Sequence, residues 1–591
     1  MNWWDDLWLN EGFASYMTFK SVDAVYNNAL AMKDLIVTQE IQPAMKDDAL
    51  INSLALKAEI WTPAQIANNF GVITYKKGAS VVRMLEFVVG EEAFKKGLQT
   101  YMKKFEYKNA AVHELYEALD EASNLYPRDE TVDWNGEHLN LTSFMHCWVI
   151  ANGVPLVTAT RNYSRNSVTM TQERFLITKT TNVSKTPGCP GWNIPVWYQW
   201  QQDSPAVQFT WLTPQETKVL ESGSANYNSW LLVNPQVRGY FRVQYDEHNW
   251  NLIIDALKKN HLIFDGGTKA QLINDAFVLA KTGRLNYEIP LELTTILRHE
   301  ESQVVWTAAE QELQNLAVDL RTDENASNLL KEYVEWLMTP IYHRLGFETK
   351  ENLAMKEVPK QKLRGAIWEK MCSFEQRDCV DVAKKYFKMF KELCVNKSSS
   401  DSCNPISPNL REAFYCTGIS QGTVEDWEYL YEKQQREEKN SATWILINGL
   451  SCSKNPDILN RFMRLALNGD GIRVSVAGLV PMHIALKTLY TNKNIVWKFI
   501  VDNWDEIKKK WGKLTPFVVA IDAATRYFTT QEELDMLTNF IEKNKNDLGS
   551  SKETFYQSKE MLEARISWYP KYSPTVIRWL KKTTSNIRRA R

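Results

Sequence analysis

From Val233 to Asp246 the chain reads V-N-P-Q-V-R-G-Y-F-R-V-Q-Y-D, and two hydrophobic periods meet there. Phe241, Val243 and Tyr245 alternate with Arg242 and Gln244, which places the apolar side chains on one face of a strand. Upstream the period of two holds back to about Val154, in Val168/Met170, Val196/Tyr198/Trp200 and Val207/Phe209/Trp211, with Gly, Pro, Asn and Ser between the runs. This segment reads as a small β-sandwich. Downstream, from Trp250 to the end, helical spacing takes over, with helices expected at Trp497 to Trp504 and Glu532 to Lys543. A helical tail of this length usually stacks helix pairs into a solenoid of the HEAT/armadillo kind. It has no strict repeat period, so any repeats are degenerate. Before the sandwich, Leu9 to about Cys147 is also helical, as Val81, Met84, Leu85 and Val88 after Gly78 illustrate. The expected fold is multidomain and mainly α: helices over 1–150, a β-sandwich over 151–247, and a large helical domain over 248–591.

At 591 residues the chain is several times the usual domain length of ~100–200, so several units are expected, each with a sizeable core. Lys and Arg total 70 against 71 for Asp and Glu, which leaves no net field for nucleic acid or an anionic membrane. The basic end, Arg588, Arg589 and Arg591, reads as a solvated tail. No stretch approaches the ~20 apolar residues of a membrane-spanning helix, and Met1 is followed at once by Asn2-Trp3-Trp4-Asp5-Asp6, so the chain as written carries no export signal. Yet N-x-S/T sequons stand at Asn140, Asn162, Asn182, Asn325 and Asn396, and cysteines cluster between Cys372 and Cys452. Both favour a lumenal or extracellular, glycosylated protein. The conflict suggests sequence missing upstream. Tryptophans such as Trp192, Trp197, Trp200 and Trp211 could form a carbohydrate platform, but the alternation favours a sandwich interior.

The chemistry-bearing stretch is Met1 to Met17, M-N-W-W-D-D-L-W-L-N-E-G-F-A-S-Y-M. It resembles the zinc aminopeptidases of the aminopeptidase N type, a thermolysin-like (gluzincin) family in which H-E-x-x-H is followed downstream by a glutamate in a W-L-N-E-G-F-A context. Glu11 holds that glutamate position. The resemblance implies that Glu11 is the third zinc ligand, and that both histidines and the general base between them lie outside this sequence. Without that context Glu11 would be an ordinary acidic residue near a helix start. A second stretch, Ile73 to Leu85, I-T-Y-K-K-G-A-S-V-V-R-M-L, resembles the family segment with its catalytic tyrosine, which falls at Tyr75, 64 positions after Glu11 as in the family. In the family this phenol donates to the oxyanion formed when zinc-activated water attacks the peptide carbonyl; otherwise it is a tyrosine at a helix entrance.

No histidine here restores a metal site. His113-Glu114 continues Leu115-Tyr116-Glu117 without a second imidazole one turn on, and His299-Glu300 fails similarly, so both read as surface or capping residues. The family's G-x-M-E-N loop, which grips the substrate's amino terminus, is absent too. The spacings Cys372/Cys379 and Cys416/Cys452 resemble two disulfides of the family's helical domain, with zinc binding the weaker alternative because no C-x-x-C is present. Cys394 and Cys403 could form a third bridge, while Cys147 and Cys189 have no obvious assignment. Val233 to Asp246 resembles the segment closing the family's sandwich, and A-T-R-Y-F-T-T-Q-E-E-L from Ala524 extends the likeness toward the end. Arg526 in that run could take a peptide carboxylate, although a structural salt bridge is the commoner role of such an arginine.

The implied parent protein is a zinc aminopeptidase acting on peptides, a hydrolase of plasma-membrane or lumenal type, membrane-bound through a missing N-terminal anchor, with a homodimer as one state the resemblance allows. The chain alone is expected to be inactive and to bind zinc weakly or not at all. The rival is a non-catalytic peptide- or partner-binding protein derived from such an enzyme.

Overall fold

The computed structural model describes the chain apart from residues 1, 179–185, 223–225, 348–353, 396, 398–402, 438–441, 473–476, 489–493, 513–514 and 591. It divides into two compact units. One comprises Met1–Ile296 with Val304–Glu312, the other Leu297–Gln303 with Leu313–Arg591.

In the first unit, α1 (Leu7–Val25) buries Trp8, Gly12, Tyr16 and Phe19, spaced three to four residues apart along one face. That face meets the helix Gly78–Val89, in which Val81, Met84, Leu85 and Val88 are fully buried and almost every other side chain is buried as well. A helix covered on all sides is the centre of its layer. Gly90 ends it with φ +86°, a left-handed conformation that costs glycine no Cβ clash.

Among the described residues the sandwich has seven strands: β1 (Val154–Asn162), β2 (Ser167–Phe175), β3 (Ile194–Trp200), β4 (Gln208–Leu212), β5 (Lys218–Glu221), β6 (Leu231–Val233) and β7 (Arg242–Tyr245). One sheet runs β5-β2-β1-β7 and the other β4-β3-β6. β1 and β2 form a hairpin pairing Val154 with Phe175 and Asn162 with Ser167. β7 lies parallel to β1, Leu156 opposite Arg242. One strand departs from the expected alternation: β3 is buried at every position, Trp197 and Gln199 included. The physical reason is that the preceding helical segment covers its second face. Trp197 stacks edge-on against Phe87 at 6.1 Å and donates to Glu130 at 3.1 Å. Trp192, Trp197, Trp200 and Trp211 are all buried.

The second unit is helical. Alternate helices pack side by side in one layer, from Val358–Ser373 through Arg411–Ser420, Ala442–Leu450 and Leu479–Lys487 to Thr515–Thr525, while the intervening helices form a second layer. The expected helix over Trp497 to Trp504 is two, Ile495–Asp502 and Trp504–Trp511, broken at Asn503; Glu532 to Lys543 lies within Gln531–Asn544. The last helix, Lys552–Ala590, returns to Glu324–Leu345, where Trp579 meets Tyr333 edge-on at 5.0 Å and Arg588 pairs with Glu332 at 2.5 Å. The expected basic tail is therefore helix through Ala590.

All eight cysteines are paired: Cys147–Cys189, Cys372–Cys379, Cys394–Cys403 and Cys416–Cys452. Asn140, Asn162 and Asn325 are exposed, and Asn140 caps the helix Leu141–Ile150 by accepting the Ser143 N–H at 2.8 Å. Asn182 and Asn396 lie outside the described residues. Among the described residues no helix is long and apolar enough to cross a membrane.

Candidate active site

Glu11 lies in the second turn of α1 and Tyr75 in the turn Ile73–Lys77, which is wound as a π-helix leading into Gly78–Val89. Such turns widen the backbone locally and turn a side chain away from the ordinary helical direction. What brings the two residues together is a backbone contact. A Cβ on Gly12 would stand 2.7 Å from the Gly78 carbonyl carbon, and one on Gly78 would stand 3.0 Å from the Gly12 Cα. The two chains touch without side chains between them. Glu11 precedes one glycine by one residue and Tyr75 precedes the other by three, so the crossing sets their side chains in the same place.

The Tyr75 phenol lies within interacting range of the Glu11 carboxylate. Its pKa is raised above the usual tyrosine range, first by partial burial and then by its interaction with the Glu11 carboxylate and that carboxylate's charge. The phenol is therefore a protonated donor at neutral pH. Both side chains are half-buried, and Phe70 lies beside the Tyr75 ring at 6.4 Å.

The π-helical turn is anchored from beneath by Lys77, which with Asp48 forms a fully buried ion pair at 2.8 Å. Lys77 also donates to the Ala151 and Gly153 carbonyls, each at 3.3 Å. Asp48 accepts from Ser53 Oγ at 2.7 Å, Gly153 N at 2.9 Å and the Tyr240 hydroxyl at 3.2 Å. With its hydrogen bonds satisfied the pair is tolerated at depth, whereas removing one partner costs about 3–5 kcal/mol. Six residues further on, buried Arg83 donates to the Gln236 carbonyl at 2.8 Å and to that of Val237. Those residues hold positive φ, 60° and 52°, in the run that opened the sequence reading. The sandwich thus holds the base of the Tyr75 turn. From α1, Tyr16 and Lys20 both reach Glu86 on the same helix, which fixes the rotation of α1 about its axis.

The remaining candidates lie elsewhere. Exposed His113 has no metal-ligating company, and Glu114 caps its helix by accepting the Ala111 N–H at 2.5 Å. His299 is exposed, and Glu300 accepts the Glu301 and Ser302 N–H groups at 2.9 and 2.8 Å. Arg526, just past the end of the helix Thr515–Thr525, pairs with Asp522 in that helix's last turn. Among the described residues no three His, Cys, Asp or Glu side chains converge to hold a metal. A hydrolytic zinc needs three protein ligands and an open position, and Glu11 is a single carboxylate. The residues present do not by themselves fit the ion. Sequence reasoning missed Gly12, Gly78, Lys77 and Asp48; both glycines stand inside the runs Met1 to Met17 and Ile73 to Leu85, but nothing in those runs marks their contact.

Residues 1–148 match the peptidase family M1 domain, and residues 230–564 match the ERAP1-like C-terminal domain. Human aminopeptidase N is 31% identical over 595 residues, covering 99% of this chain and 58% of its own length. The human thyrotropin-releasing hormone-degrading ectoenzyme is 31% identical over 594 residues, with 98% and 53% covered, and human glutamyl aminopeptidase is 29% identical, with 98% and 57% covered. The chain thus spans a little over half the length of these relatives.

Proposed function

Because this chain belongs to the M1 family of aminopeptidases, we propose that it forms part of a zinc-dependent enzyme that removes residues from peptide amino termini, to which it contributes Glu11 and Tyr75. The observation that carries this reading is the backbone crossing at Gly12 and Gly78 that brings Glu11 within interacting range of the Tyr75 phenol, in a segment matching the M1 domain. Glu11 offers one carboxylate toward a metal whose imidazole ligands would come from an H-E-x-x-H outside these 591 residues. Tyr75 offers an O–H to the oxygen of a peptide carbonyl as it gains negative charge. A donor of that kind typically accounts for ~10²–10³ in rate, about 3–4 kcal/mol. The fixed backbone crossing beneath it supports that role, since a donor that need not reorganise loses nothing when charge develops.

Taken alone, these 591 residues neither bind zinc stoichiometrically nor turn over peptide. The four disulfides support an oxidising, extracellular or lumenal setting, in keeping with the relative named an ectoenzyme.

The test has two arms. Purified chain is assayed for bound zinc by mass spectrometry and for cleavage of an aminoacyl-anilide; stoichiometric zinc with turnover overturns the statement about the chain alone. Transcript sequence upstream of Met1 is then read for an in-frame H-E-x-x-H in register with Glu11. An in-frame stop there, with native protein of this mass, favours the non-catalytic binding protein.

A further inference from the structure

The last helix, Lys552–Ala590, changes character at its two prolines, Pro570 and Pro574. Its first half mixes signs, with Lys552, Glu553, Lys559, Glu560, Glu563 and Arg565. After Pro570 it carries Lys571, Arg578, Lys581, Lys582, Arg588 and Arg589 and no carboxylate, in a chain whose net charge is −1. Over the same stretch Val576, Trp579, Leu580, Thr584 and Ile587 turn inward, while all six cations are exposed. Lys571, Arg578, Lys582 and Arg589 are separated by seven, four and seven residues, so at 3.6 residues per turn they share one strip ~27 Å long.

Two ordinary explanations cover only part of this. Cations near a helix C-terminus complement its dipole, but the effect fades within the last turn and reaches only Arg588 and Arg589. Ion pairing accounts for Arg588, bound to Glu332, and Arg578 is engaged in a contact of its own. Lys571, Lys581 and Lys582 stand two turns or more from the end.

We propose that this strip docks a linear sulfated polysaccharide. A straight row of cations ~6–11 Å apart suits anions repeating along an extended chain, and ammonium and guanidinium groups both take sulfate oxygens. Its three disulfides place the unit in an oxidising compartment, which disfavours nucleic acid as the polyanion. A bilayer suits the strip less well. The helix's apolar residues are already committed to the core, leaving none to enter the acyl boundary, and the strongly anionic leaflet is the cytoplasmic one.

The test passes the 591-residue chain over immobilised heparin in a salt gradient. Retention beyond about 0.15 M ionic strength is expected. The combined variant Lys571→Ser, Lys581→Ser, Lys582→Ser, Arg589→Ser should bind at least ~10-fold more weakly at that salt, with the log–log salt slope reduced by about three. Replacing the three lysines by arginine should keep binding. A matched variant, Lys95→Ser, Lys96→Ser, Lys103→Ser, Lys108→Ser, removes the same charge from exposed positions in the other unit and should bind as the parent does. Circular dichroism and melting confirm that each variant folds. The proposal is overturned if the parent elutes below 0.15 M, if the matched variant loses as much binding, or if phosphatidylserine vesicles bind the strip and heparin does not.

Discussion

At the scale of single residues, Tyr75 and Glu11 form a coupled pair whose coupling can be measured without any reaction. The phenol pKa is raised by burial and by Glu11, so Glu11→Gln removes the second cause and leaves the first. The Tyr75 pKa should fall yet stay above the ordinary ~10. Difference titration of tyrosine absorbance, each background against its own Tyr75→Phe variant, reads it; an unmoved pKa would sink the pairing. Asp120 gives a second residue-level prediction. Burial pushes its carboxyl up to about 6, with Glu117 adding to the rise and the Leu141 N–H at 3.2 Å opposing it. The folded state therefore holds the proton more tightly than the unfolded chain, whose aspartates titrate near ~3.9. That contribution is complete below ~4 and is lost as pH rises through about 6. Asp120→Asn should gain melting temperature relative to the parent steadily from pH 4 to pH 7, and little below.

At the scale of elements, the site depends on two helices meeting at Gly12 and Gly78. In an isolated helix Gly→Ala is favourable by ~1 kcal/mol. Here the added methyl would meet backbone at 2.7 Å, which no side-chain rotation relieves. Gly12→Ala should therefore destabilise the first unit by about 1–3 kcal/mol and weaken the Tyr75–Glu11 coupling; a stabilised variant would show that the crossing is loose. This crossing also marks the limit of what the sequence discloses. The change of period near Tyr245 is legible because it is written in a short run of neighbouring residues, whereas the register of Glu11 with Tyr75 is legible only through the family resemblance of the two runs that hold them. The contact between Gly12 and Gly78, 66 positions apart, is not, since a glycine in a helix looks the same whether or not another backbone approaches it. Lys77 and Asp48 are illegible for a related reason: each alone is an ordinary surface type, and only the fold buries both. β3 misleads differently, because strand alternation assumes one solvated face and the helical layer covers the face that would otherwise meet solvent.

At the scale of the whole molecule, disulfides are shared unequally. The first unit holds Cys147–Cys189, closing a loop of 42 residues, and the second holds three bridges with separations of 7, 9 and 36. In the chain-entropy model the two long loops each stabilise by about 3–4 kcal/mol and the two short ones by about 2–3. Each helical layer in the second unit is tied to its neighbours mainly through adjacent helices, so a bridge such as Cys416–Cys452, from Arg411–Ser420 to the end of Ala442–Leu450, limits how far the unfolded chain can spread. Calorimetry of the intact chain should resolve two transitions. Complete reduction should lower the one belonging to the second unit by more than the other. Cys416→Ala with Cys452→Ala should reproduce a large part of that shift, about 3–4 kcal/mol, and leave the first unit's transition in place. Equal shifts of both transitions on reduction would mean that the bridges do not act unit by unit.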